Sequence, residues 1–351
     1  MPAGAVKLAR GNADMRDKTA KAHALRWGFV GTGMIAHAMA QAIALTPMAR
    51  LTASSSRKMS SAREFADSYG ATAAFDDWQK LCDSDDVDAI YVATPTSVRE
   101  DISVYAARAG KHVLAEKPFA SADSVKRIVA ACQENDVAFM DGTHFVHHPR
   151  THTLKREALN TTGRPWSIAS AFQFNLPDRG NIRYNPALEP MGAIGDAGWY
   201  NMRAAVEYLA PDAEVSSVSC VLRRDQATGA AISGSGVIQL DDDSTSTWNC
   251  GFDSGADVTD LIITGPTGVI NVDNFLGQDA DHSASYLYRS GGGAGATSET
   301  RRIESRQPGA ALMFEEFAAI AADATRRDEY AAATLRTQQL LDACWESAIE
   351  G

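Results

Sequence analysis

The sequence predicts an α/β protein in which a doubly wound parallel sheet comes first and an α+β part with a large, mainly antiparallel open sheet follows. In roughly the first 140 residues, short apolar runs of strand length alternate with segments whose apolar residues recur at helical spacing. After Pro149, strand-like runs follow one another with few helices between them. The length of 351 residues is also long for one hydrophobic core, so two domains are expected.

The first part is a regular alternation of strands and helices. We expect residues 1–24 to form a flexible polar extension and residues 25–148 to form the first domain. The predicted elements are a strand at 25–30, a helix at 34–45, a strand at 50–55, a helix–strand pair ending in the run 89–93, a helix at 102–109, a strand at 112–115, a helix at 122–135 and a strand at 138–140.

The second part, residues 149–351, is expected to be a substrate and oligomerisation domain. A helix at 199–209 should cover one face of its sheet, and the glycine-rich tract 290–298 is expected to be a mobile surface loop. The predicted strands are 166–174, 215–222, 230–240, 244–251, 259–264 and 269–272, and further helices are predicted at 150–159, 310–322 and 332–348.

Composition excludes several classes of function. The formal net charge of −11 argues against a general affinity for nucleic acid or for anionic membranes. No apolar run approaches the roughly 18 residues that cross a bilayer, and the N-terminal segment lacks a signal-peptide core, so we expect a cytoplasmic protein. The five cysteines are scattered, without a CxxC pair, so no metal site and no disulfide framework are expected.

The first strand ends in the pattern Gly31-x-Gly33-x-x-Ala36, which opens a helix. Gly31 permits a tight turn, Gly33 allows a pyrophosphate to approach the backbone, and Ala36 is small enough for close helix–strand packing. The pattern, in this strand–helix context, predicts a Rossmann dinucleotide site. The alternative is a tight turn without a ligand.

The second strand bears on which dinucleotide binds. It is followed by Ser56, Arg57 and Lys58, with no carboxylate before Glu64. An acidic residue here would bind the ribose 2′-hydroxyl of NAD, whereas Arg57 suits a 2′-phosphate. We therefore expect NADP(H) to be preferred, with NAD(H) possible. The alternative is that Arg57 and Lys58 form a solvated loop.

Two more motifs follow strands of the parallel sheet, namely Thr94-Pro95 and Glu116-Lys117-Pro118. Ligands of such sheets bind beyond the carboxyl ends of the strands, so both motifs should lie at the cleft. Partial desolvation there is expected to lower the pKa of Lys117 toward the range useful for proton transfer. Spacing alone does not decide whether Lys117 is catalytic.

Taken together, Gly31-Thr32-Gly33-Met34-Ile35-Ala36, Ala93-Thr94-Pro95, Glu116-Lys117-Pro118 and Gly195-Asp196-Ala197-Gly198-Trp199-Tyr200 resemble the Gfo/Idh/MocA oxidoreductase family. The tyrosine of the last motif is similar to the glucose-fructose oxidoreductase and dihydrodiol dehydrogenase branch, where many other relatives carry histidine. The resemblance implies a Rossmann domain followed by an open sheet that often makes subunit contacts, so a homodimer or homotetramer is expected.

The resemblance also implies residue roles. Lys117 would bind the substrate and help to move the proton, Asp196 would hold the substrate or orient its neighbour, and Tyr200 would be the acid/base residue. Because a free phenol has a pKa near 10, Tyr200 needs a cationic neighbour to work near neutrality, and Lys117 is the expected one. The residues expected to bind the cofactor are Gly31, Thr32, Gly33, Met34, Ile35, Ser56, Arg57, Lys58, Thr94, Pro95, Glu116 and Lys117.

A histidine-rich stretch and one departure from the family pattern also concern the cleft. His144, His147 and His148 follow the last strand of the first part and could line the substrate pocket, or could be satisfied within their loop. Many relatives read T-P-N-x-x-H, whereas this chain has Thr96 and Arg99 at the last two specified positions.

These features predict an NADP(H)-dependent enzyme that transfers a hydride between the nicotinamide and a CH–OH or C=O carbon of a small, polar, sugar-like substrate. Two alternatives remain open. One is a cofactor-binding sensor without turnover, and the other is an enzyme that uses tightly bound cofactor with no net redox change.

Overall fold

A computed structural model describes residues 24–209 and 212–350 of the chain. The predicted N-terminal extension, residues 1–24, therefore lies outside the described residues except for Ala24. Within the described residues, no helix combines the length and the apolar character needed to cross a membrane.

The first sheet is parallel and has six strands in the order β3-β2-β1-β4-β5-β6. Because the strand order reverses between β1 and β4, their carboxyl ends border the crevice where such sheets bind ligands. The strands are β1 Leu25–Val30, β2 Ala49–Ser55, β3 Ala73–Phe75, β4 Ala89–Val92, β5 His112–Ala115 and β6 Phe139–Asp141. The connecting helices are α1 Met34–Ile43, α2 Met59–Tyr69, α3 Trp78–Cys82, α4 Thr96–Arg108 and α5 Ala122–Glu134.

The sheet is covered on both faces, which is why its strands read as apolar runs. All four residues of β4 are buried. One covering element comes from the far end of the chain, because helix α9, Gly309–Ala322, packs its Phe314 and Phe317 against Trp27 at ring-centroid distances of 5.0 and 4.9 Å. The division of the chain at residue 148 stays a prediction, and this packing crosses it.

The second sheet has nine strands and is mainly antiparallel, which together with the first sheet confirms the predicted fold class. Within the described part of this second sheet, β7 and β10 are the pair that runs parallel. The strands are β7 Ser167–Asn175, β8 Val215–Arg224, β9 Ala231–Leu240, β10 Thr245–Gly251, β11 Asp253–Val258, β12 Leu261–Thr264, β13 Val269–Val272, β14 Ala284–Ser290 and β15 Thr297–Ile303.

Three of these strands, β11, β14 and β15, were not predicted. The glycine-rich tract expected to be a loop instead links β14 to β15 as a hairpin, with Ser290 paired to Thr297 and a short 3₁₀ turn at Gly293–Gly295. The outermost strand β15 is mostly exposed and polar, so it lacks the apolar alternation from which strands are recognised. Assembly through this sheet stays a prediction.

Short helices between β7 and β8 bring side chains from the second sheet to the first. They are α7 Gly192–Asp196 and α8 Gly198–Tyr208. The longer helix α6, Pro149–Thr161, lies between β6 and β7, and the last described helix is α10 Ala331–Glu350. Trp199 at the start of α8 packs on Phe119, which follows β5, with ring centroids 5.8 Å apart. This contact fixes the ends of α7 and α8 beside the carboxyl edge of the first sheet.

Candidate active site

A cavity of about 1120 Å³ lies between the carboxyl edge of the first sheet and the second sheet. One wall comes from the turn after β1 and the loops after β4 and β5, and the other from α7, α8 and the second sheet. The cavity is lined on the first side by Gly33, Met34, Ile35, Thr94, Arg99, Glu116 and Lys117, and on the second by Phe172, Phe174, Arg183, Glu189, Asp196, Tyr200, Asp257, Asp260 and Asp273, among others.

The glycine turn after β1 fits a dinucleotide. Gly31 has a φ of +105°, and a Cβ there would lie 2.4 Å from the carbonyl oxygen of Ala93, so only glycine is accommodated. A Cβ on Gly33 would meet nothing within 4 Å, so the space in front of it is open. The first hydrogen bond of α1 runs from the amide of His37 to Gly33, which leaves the three preceding amides for a phosphate.

The residues expected to choose the cofactor lie next to this turn. The amide of Gly31 donates to the carbonyl oxygen of Ser55 at 2.9 Å, so Ser56, Arg57 and Lys58 emerge beside the glycines. Arg57 and Lys58 are exposed, and neither has an ion-pair partner within residues 24–209 and 212–350. Their charges are therefore available to an anionic group.

Thr94 supplies a further sign of a ligand on the cofactor side. Its hydroxyl oxygen is buried and finds no hydrogen-bond partner within the described chain. Buried hydroxyls are normally paired, so this one is suited to a polar group of a bound cofactor. Pro95 follows as the N-cap of α4, which begins at Thr96, six residues before the predicted start.

Lys117, Asp196 and Arg183 form a buried charged group on the substrate side. Lys117 Nζ donates to Asp196 Oδ1 at 2.8 Å and to the Asp196 carbonyl oxygen at 3.0 Å. Arg183 Nε donates to Asp196 Oδ2 at 2.7 Å. The side chains of Lys117, Asp196 and Arg183 are 8, 13 and 25% exposed. Asp196 is thus fixed between two cations.

Tyr200 stands beside this group. Lys117 Nζ lies 4.6 Å from the centroid of the Tyr200 ring, over its face. The phenol hydroxyl has no hydrogen-bond partner among the residues that the structure describes, although the side chain is only 7% exposed. A substrate in the cavity could therefore receive a hydrogen bond from it.

The protonation states differ from the sequence-based expectation. Burial alone would lower the pKa of Lys117, but the attraction of Asp196, Tyr200 and Glu116 raises it, so the expected lowering is wrong. Burial raises the pKa of Tyr200 to about 12, and the opposing effect of Lys117 is smaller. Burial would also raise the pKa of Asp196, but Lys117 and Arg183 hold it well below its usual range. At neutral pH the group is ammonium, phenol and carboxylate.

Glu116 lies behind Lys117. It is buried, and its carboxyl group accepts a hydrogen bond from the Tyr91 hydroxyl at 2.5 Å. Burial raises its pKa, against the attraction of Lys117. A Cβ on Gly142 would lie 2.6 Å from Glu116 Oε1, so the absence of a side chain at Gly142 makes room for this carboxyl group.

The structure does not bring the three histidines together at the cavity. His144 lies beside Tyr200, with ring centroids 6.0 Å apart, and burial followed by the charge of Lys117 lowers its pKa to about 4. His147 packs on Tyr330 instead, at 5.3 Å. His148 caps α6 by accepting from the Arg150 amide at 3.0 Å. The expectation that His147 and His148 line the pocket is therefore wrong, because the chain turns into α6 at this point.

The sequence did not indicate that Arg183 belongs to the site, nor that Arg99 is buried in the wall of the cavity. Arg183 lies in a 3₁₀ turn, Ile182–Tyr184, within the irregular connection from β7 to α7, where no periodic pattern marks a functional residue. The departure from the family pattern at Arg99 was the available signal for the second residue, and the structure shows it buried in the wall of the cavity.

Comparison with known proteins supports a dinucleotide site at the glycine turn of the first sheet. Residues 25–143 match a family described as oxidoreductase, NAD-binding Rossmann fold. The chain is 32% identical to a dTDP-3,4-didehydro-2,6-dideoxy-α-D-glucose 3-reductase of Actinomadura kijaniata over 226 residues. The aligned region covers 63% of this chain and 67% of the relative. It is 31% identical to a D-xylose 1-dehydrogenase (NADP(+)) of Haloferax volcanii, over 57% of this chain and 61% of the relative.

Solved structures extend the similarity beyond the aligned sequence. A crystal structure of a 3-ketoreductase from Actinomadura kijaniata, in complex with NADP and TDP-benzene, superposes with a TM-score of 0.85 and 26% identity. The superposition covers 93% of this chain and 98% of that chain. A levoglucosan dehydrogenase, at 18% identity and a TM-score of 0.81, shares the fold.

Proposed function

The chain belongs to the Gfo/Idh/MocA oxidoreductase family, and we propose that it is an NADP(H)-dependent enzyme that reduces a carbonyl carbon of a small, uncharged, sugar-like substrate. The observation that carries the proposal is the presence, in one cavity, of a glycine turn fitted to a dinucleotide and of the Lys117, Asp196 and Tyr200 side chains.

The cofactor would be held by the turn at Gly31 and Gly33 and by the amides that open α1. Arg57 would pair with a 2′-phosphate, which supports NADP(H) over NAD(H), and the Thr94 hydroxyl would meet a polar group near the nicotinamide. When bound, NADPH supplies the hydride.

Tyr200 and Lys117 would act on the carbonyl oxygen of the substrate. Both side chains reach the cavity from opposite walls, so one oxygen could accept hydrogen bonds from the phenol and from the ammonium group. Tyr200 would give up its proton as the oxygen gains negative charge, and Lys117 would stabilise the charge that develops. General acid catalysis of this kind contributes about 10²–10⁴-fold.

Asp196 and Arg183 would keep Lys117 in place. Asp196 accepts from Lys117 twice, through a carboxylate oxygen and through its backbone carbonyl oxygen, so the ammonium group has little freedom to turn away. Arg183 in turn fixes the carboxylate. Preorganised donors of this type avoid the cost of reorganisation during the reaction.

The protonation states favour reduction over oxidation. Lys117 and Tyr200 both carry their protons at neutral pH, since both pKa values are raised. An enzyme that oxidises an alcohol needs a base in the same place, whereas one that reduces a carbonyl needs an acid. Carbonyl reduction is therefore the direction that the resting state supports.

The mouth of the cavity bears on the substrate class. Asp257, Asp260 and Asp273 are exposed there, and none has an ion-pair partner within the described part of the chain. Unpaired carboxylates repel a phosphate or a nucleoside diphosphate. The cavity also presents amides and a hydroxyl from Asn181, Asn274 and Thr259, which suit an uncharged polyol.

The test begins with nicotinamide fluorescence during titration with NADPH and NADH. We expect NADPH to bind more tightly, and Arg57→Asp to weaken its binding by about tenfold or more, because a carboxylate would replace the cation facing the 2′-phosphate. Arg63→Asp makes the same charge change on the exposed face of α2, further from Gly31, and is the matched control. Equal affinities for the two cofactors would contradict the NADP(H) assignment.

Turnover is then measured with NADPH and a panel of aldoses, ketoses and keto-inositols. Carbonyl-dependent loss of NADPH absorbance supports the proposed enzyme. Tight cofactor binding without turnover on any carbonyl compound would instead favour a sensor. Cofactor that remains on the protein through purification, found by mass analysis after denaturation, together with product formation at constant absorbance, would favour an enzyme without net redox change.

A further inference from the structure

Arg99 is a buried cation beside the reaction centre. It is the fourth residue of α4, is 4% exposed and occupies the position where many relatives carry histidine. No carboxylate lies within ion-pair distance of it in residues 24–209 and 212–350. A buried charge without a direct counter-ion is costly, so its contacts require an explanation.

The guanidinium group joins two loops of the first sheet. Arg99 Nη2 donates to the carbonyl oxygen of Thr94, in the loop after β4. Arg99 Nη1 donates to the carbonyl oxygen of Pro118, in the loop after β5 and immediately after Lys117. One side chain thus fastens the cofactor-facing loop to the loop that carries the lysine.

A third contact connects Arg99 to a carboxylate indirectly. Arg99 Nη1 also donates to the Thr96 hydroxyl at 3.1 Å, and that hydroxyl donates to Glu189 Oε2 at 2.6 Å. The Thr96 amide donates to Glu189 Oε1 at 3.0 Å. Glu189 therefore lies at the N-terminus of α4 and is connected to Arg99 through the Thr96 hydroxyl. Its negative charge balances that of Arg99, although the two side chains do not pair directly.

The geometry fixes Lys117 at both ends. Its ammonium group is held by Asp196, and the backbone that follows it is held by Arg99. A histidine ring offers at most two N–H donors, whereas a guanidinium group offers five in a rigid plane, and only the latter can donate to two carbonyl oxygens and a hydroxyl together.

We propose that Arg99 is a positioning residue for the proposed carbonyl reduction, which clamps the Thr94 and Lys117 loops together and so holds the Lys117 ammonium group against Asp196. It acts through Lys117: its side chain borders the cavity, but its hydrogen bonds go to the Thr94 and Pro118 carbonyl oxygens and to the Thr96 hydroxyl. The inference rests on the proposed function, since Arg99 positions Lys117, the residue proposed to stabilise the charge on the carbonyl oxygen.

The test compares Arg99→Met with Arg99→Lys. Methionine removes every donor, and we expect kcat to fall by about 10²-fold, the cost of a displacement near 1 Å at a reacting group. Lysine keeps the charge and donors for some of the carbonyl oxygens, and should restore kcat to within about tenfold of the wild type. The affinity for NADPH should weaken by a smaller factor than kcat falls, because the glycine turn at Gly31 and Gly33 is unchanged and only the Thr94 loop loses its hold.

A crystal structure of Arg99→Met supplies a readout that does not depend on activity. We expect the contact between Lys117 Nζ and Asp196 Oδ1, 2.8 Å in the wild type, to be lost. Arg150→Met is the matched control for loss of a buried arginine, since Arg150 also donates to backbone carbonyl oxygens, those of Asn274, Phe275 and Gly277. It should lower the unfolding midpoint without loss of the Lys117–Asp196 contact.

The outcomes separate this inference from the proposed function. If the wild type turns over carbonyl substrates but Arg99→Met keeps its kcat and the Lys117–Asp196 contact, the positioning role is wrong and the proposed function stands. The positioning role is equally wrong if both Arg99 variants lose kcat only in proportion to folded protein. If the wild type has no turnover, the proposed function fails, and the crystal structure still decides whether Arg99 positions Lys117.

Discussion

Two buried charged groups of this protein use the same kinds of side chain with different surroundings. In the cleft, Asp196 lies between Lys117 and Arg183. In the interior, Arg203 lies between Asp141 and Glu207, with Nη1 2.9 Å from Asp141 Oδ2 and Nε 2.8 Å from Glu207 Oε1. The interior pair Arg203–Asp141 is sealed, at 1% exposure for both side chains, whereas the cleft group borders a cavity.

The two groups differ in whether their hydrogen-bonding atoms already have partners within the protein. Asp141 also accepts from the hydroxyl groups of Thr143 and Thr334, so its oxygens are occupied from several sides. In the cleft, the Tyr200 hydroxyl has no partner within the described chain. A saturated ionic group contributes to folding, and one that leaves donors facing a cavity is arranged for a ligand.

The largest effect is expected when the cleft group loses its donors. Lys117→Met and Tyr200→Phe should each lower kcat by about 10²–10⁴-fold. Tyr200→Phe removes the proton donor to the carbonyl oxygen, and Lys117→Met removes the cation that stabilises the charge on that oxygen. Steady-state kinetics with NADPH measure the effect, and the unfolding midpoint in urea serves as the control for folding. A variant that keeps wild-type kcat would remove its residue from the mechanism.

The interior group should show the opposite response. Arg203→Met leaves Asp141 and Glu207 buried without their cation, and breaking a buried pair in this way costs about 3–5 kcal/mol of unfolding free energy. Urea unfolding measures the loss. Since Arg203 does not line the cavity, kcat per folded molecule should fall far less than in Lys117→Met. A large loss of kcat at unchanged stability would show that the two groups do not differ in role.

The pH should affect the rate of alcohol oxidation by the cleft group but not the rate of carbonyl reduction. Lys117 and Tyr200 keep their protons through neutrality because their pKa values are raised, so kcat for carbonyl reduction should be flat between about pH 6 and pH 9. Oxidation of the product alcohol needs the deprotonated form and should accelerate by up to about tenfold per pH unit. Measurement of both directions checks this, and a fall in the reduction rate near pH 7 would contradict it.

The interior should instead show its pH dependence in stability. Burial, followed by the charge of Arg203, lowers the pKa of His147 to about 3, below its unfolded value near 6.5. The unfolded chain therefore binds a proton first as pH falls, and stability is lost from about pH 6.5 toward pH 3, by about 1–2 kcal/mol at pH 5.

Urea midpoints at pH 7 and pH 5 measure this loss. His147→Phe removes the titrating group while keeping an aromatic ring against Tyr330, so the difference between the two pH values should shrink. Comparison within each protein cancels the change in packing. An unchanged difference would assign the acid sensitivity to other groups.

The sequence was informative wherever a local pattern has one structural solution. The turn at Gly31 and Gly33 needs glycine, for steric reasons that hold in any fold. The short runs that became β1, β4 and β5 alternate with segments of helical spacing, and their length and context favour buried strands. The motifs after these strands then had to lie at one edge, because parallel strands share their carboxyl ends.

Other features depended on partners far away in the chain. The pKa of Lys117 was expected to fall through desolvation, but it rises because Asp196, 79 residues later, pairs with it. Arg183 carries no local signal, and it joins the site because its turn packs beside α7. His147 and His148 belong to a histidine-rich motif, yet the turn into α6 carries them away from the cavity.

By itself, the sequence determined the fold class and the glycine turn, since short-range sterics and strand or helix periodicity decide these. The Lys117, Asp196 and Tyr200 motifs were recognised by their resemblance to a known family. Only the tertiary structure decided the charge states of the site, the clamp formed by Arg99 and the separation of a sealed ionic group from an open one. Electrostatic interactions depend on distance and burial, and both are set by packing between residues that are remote in the chain.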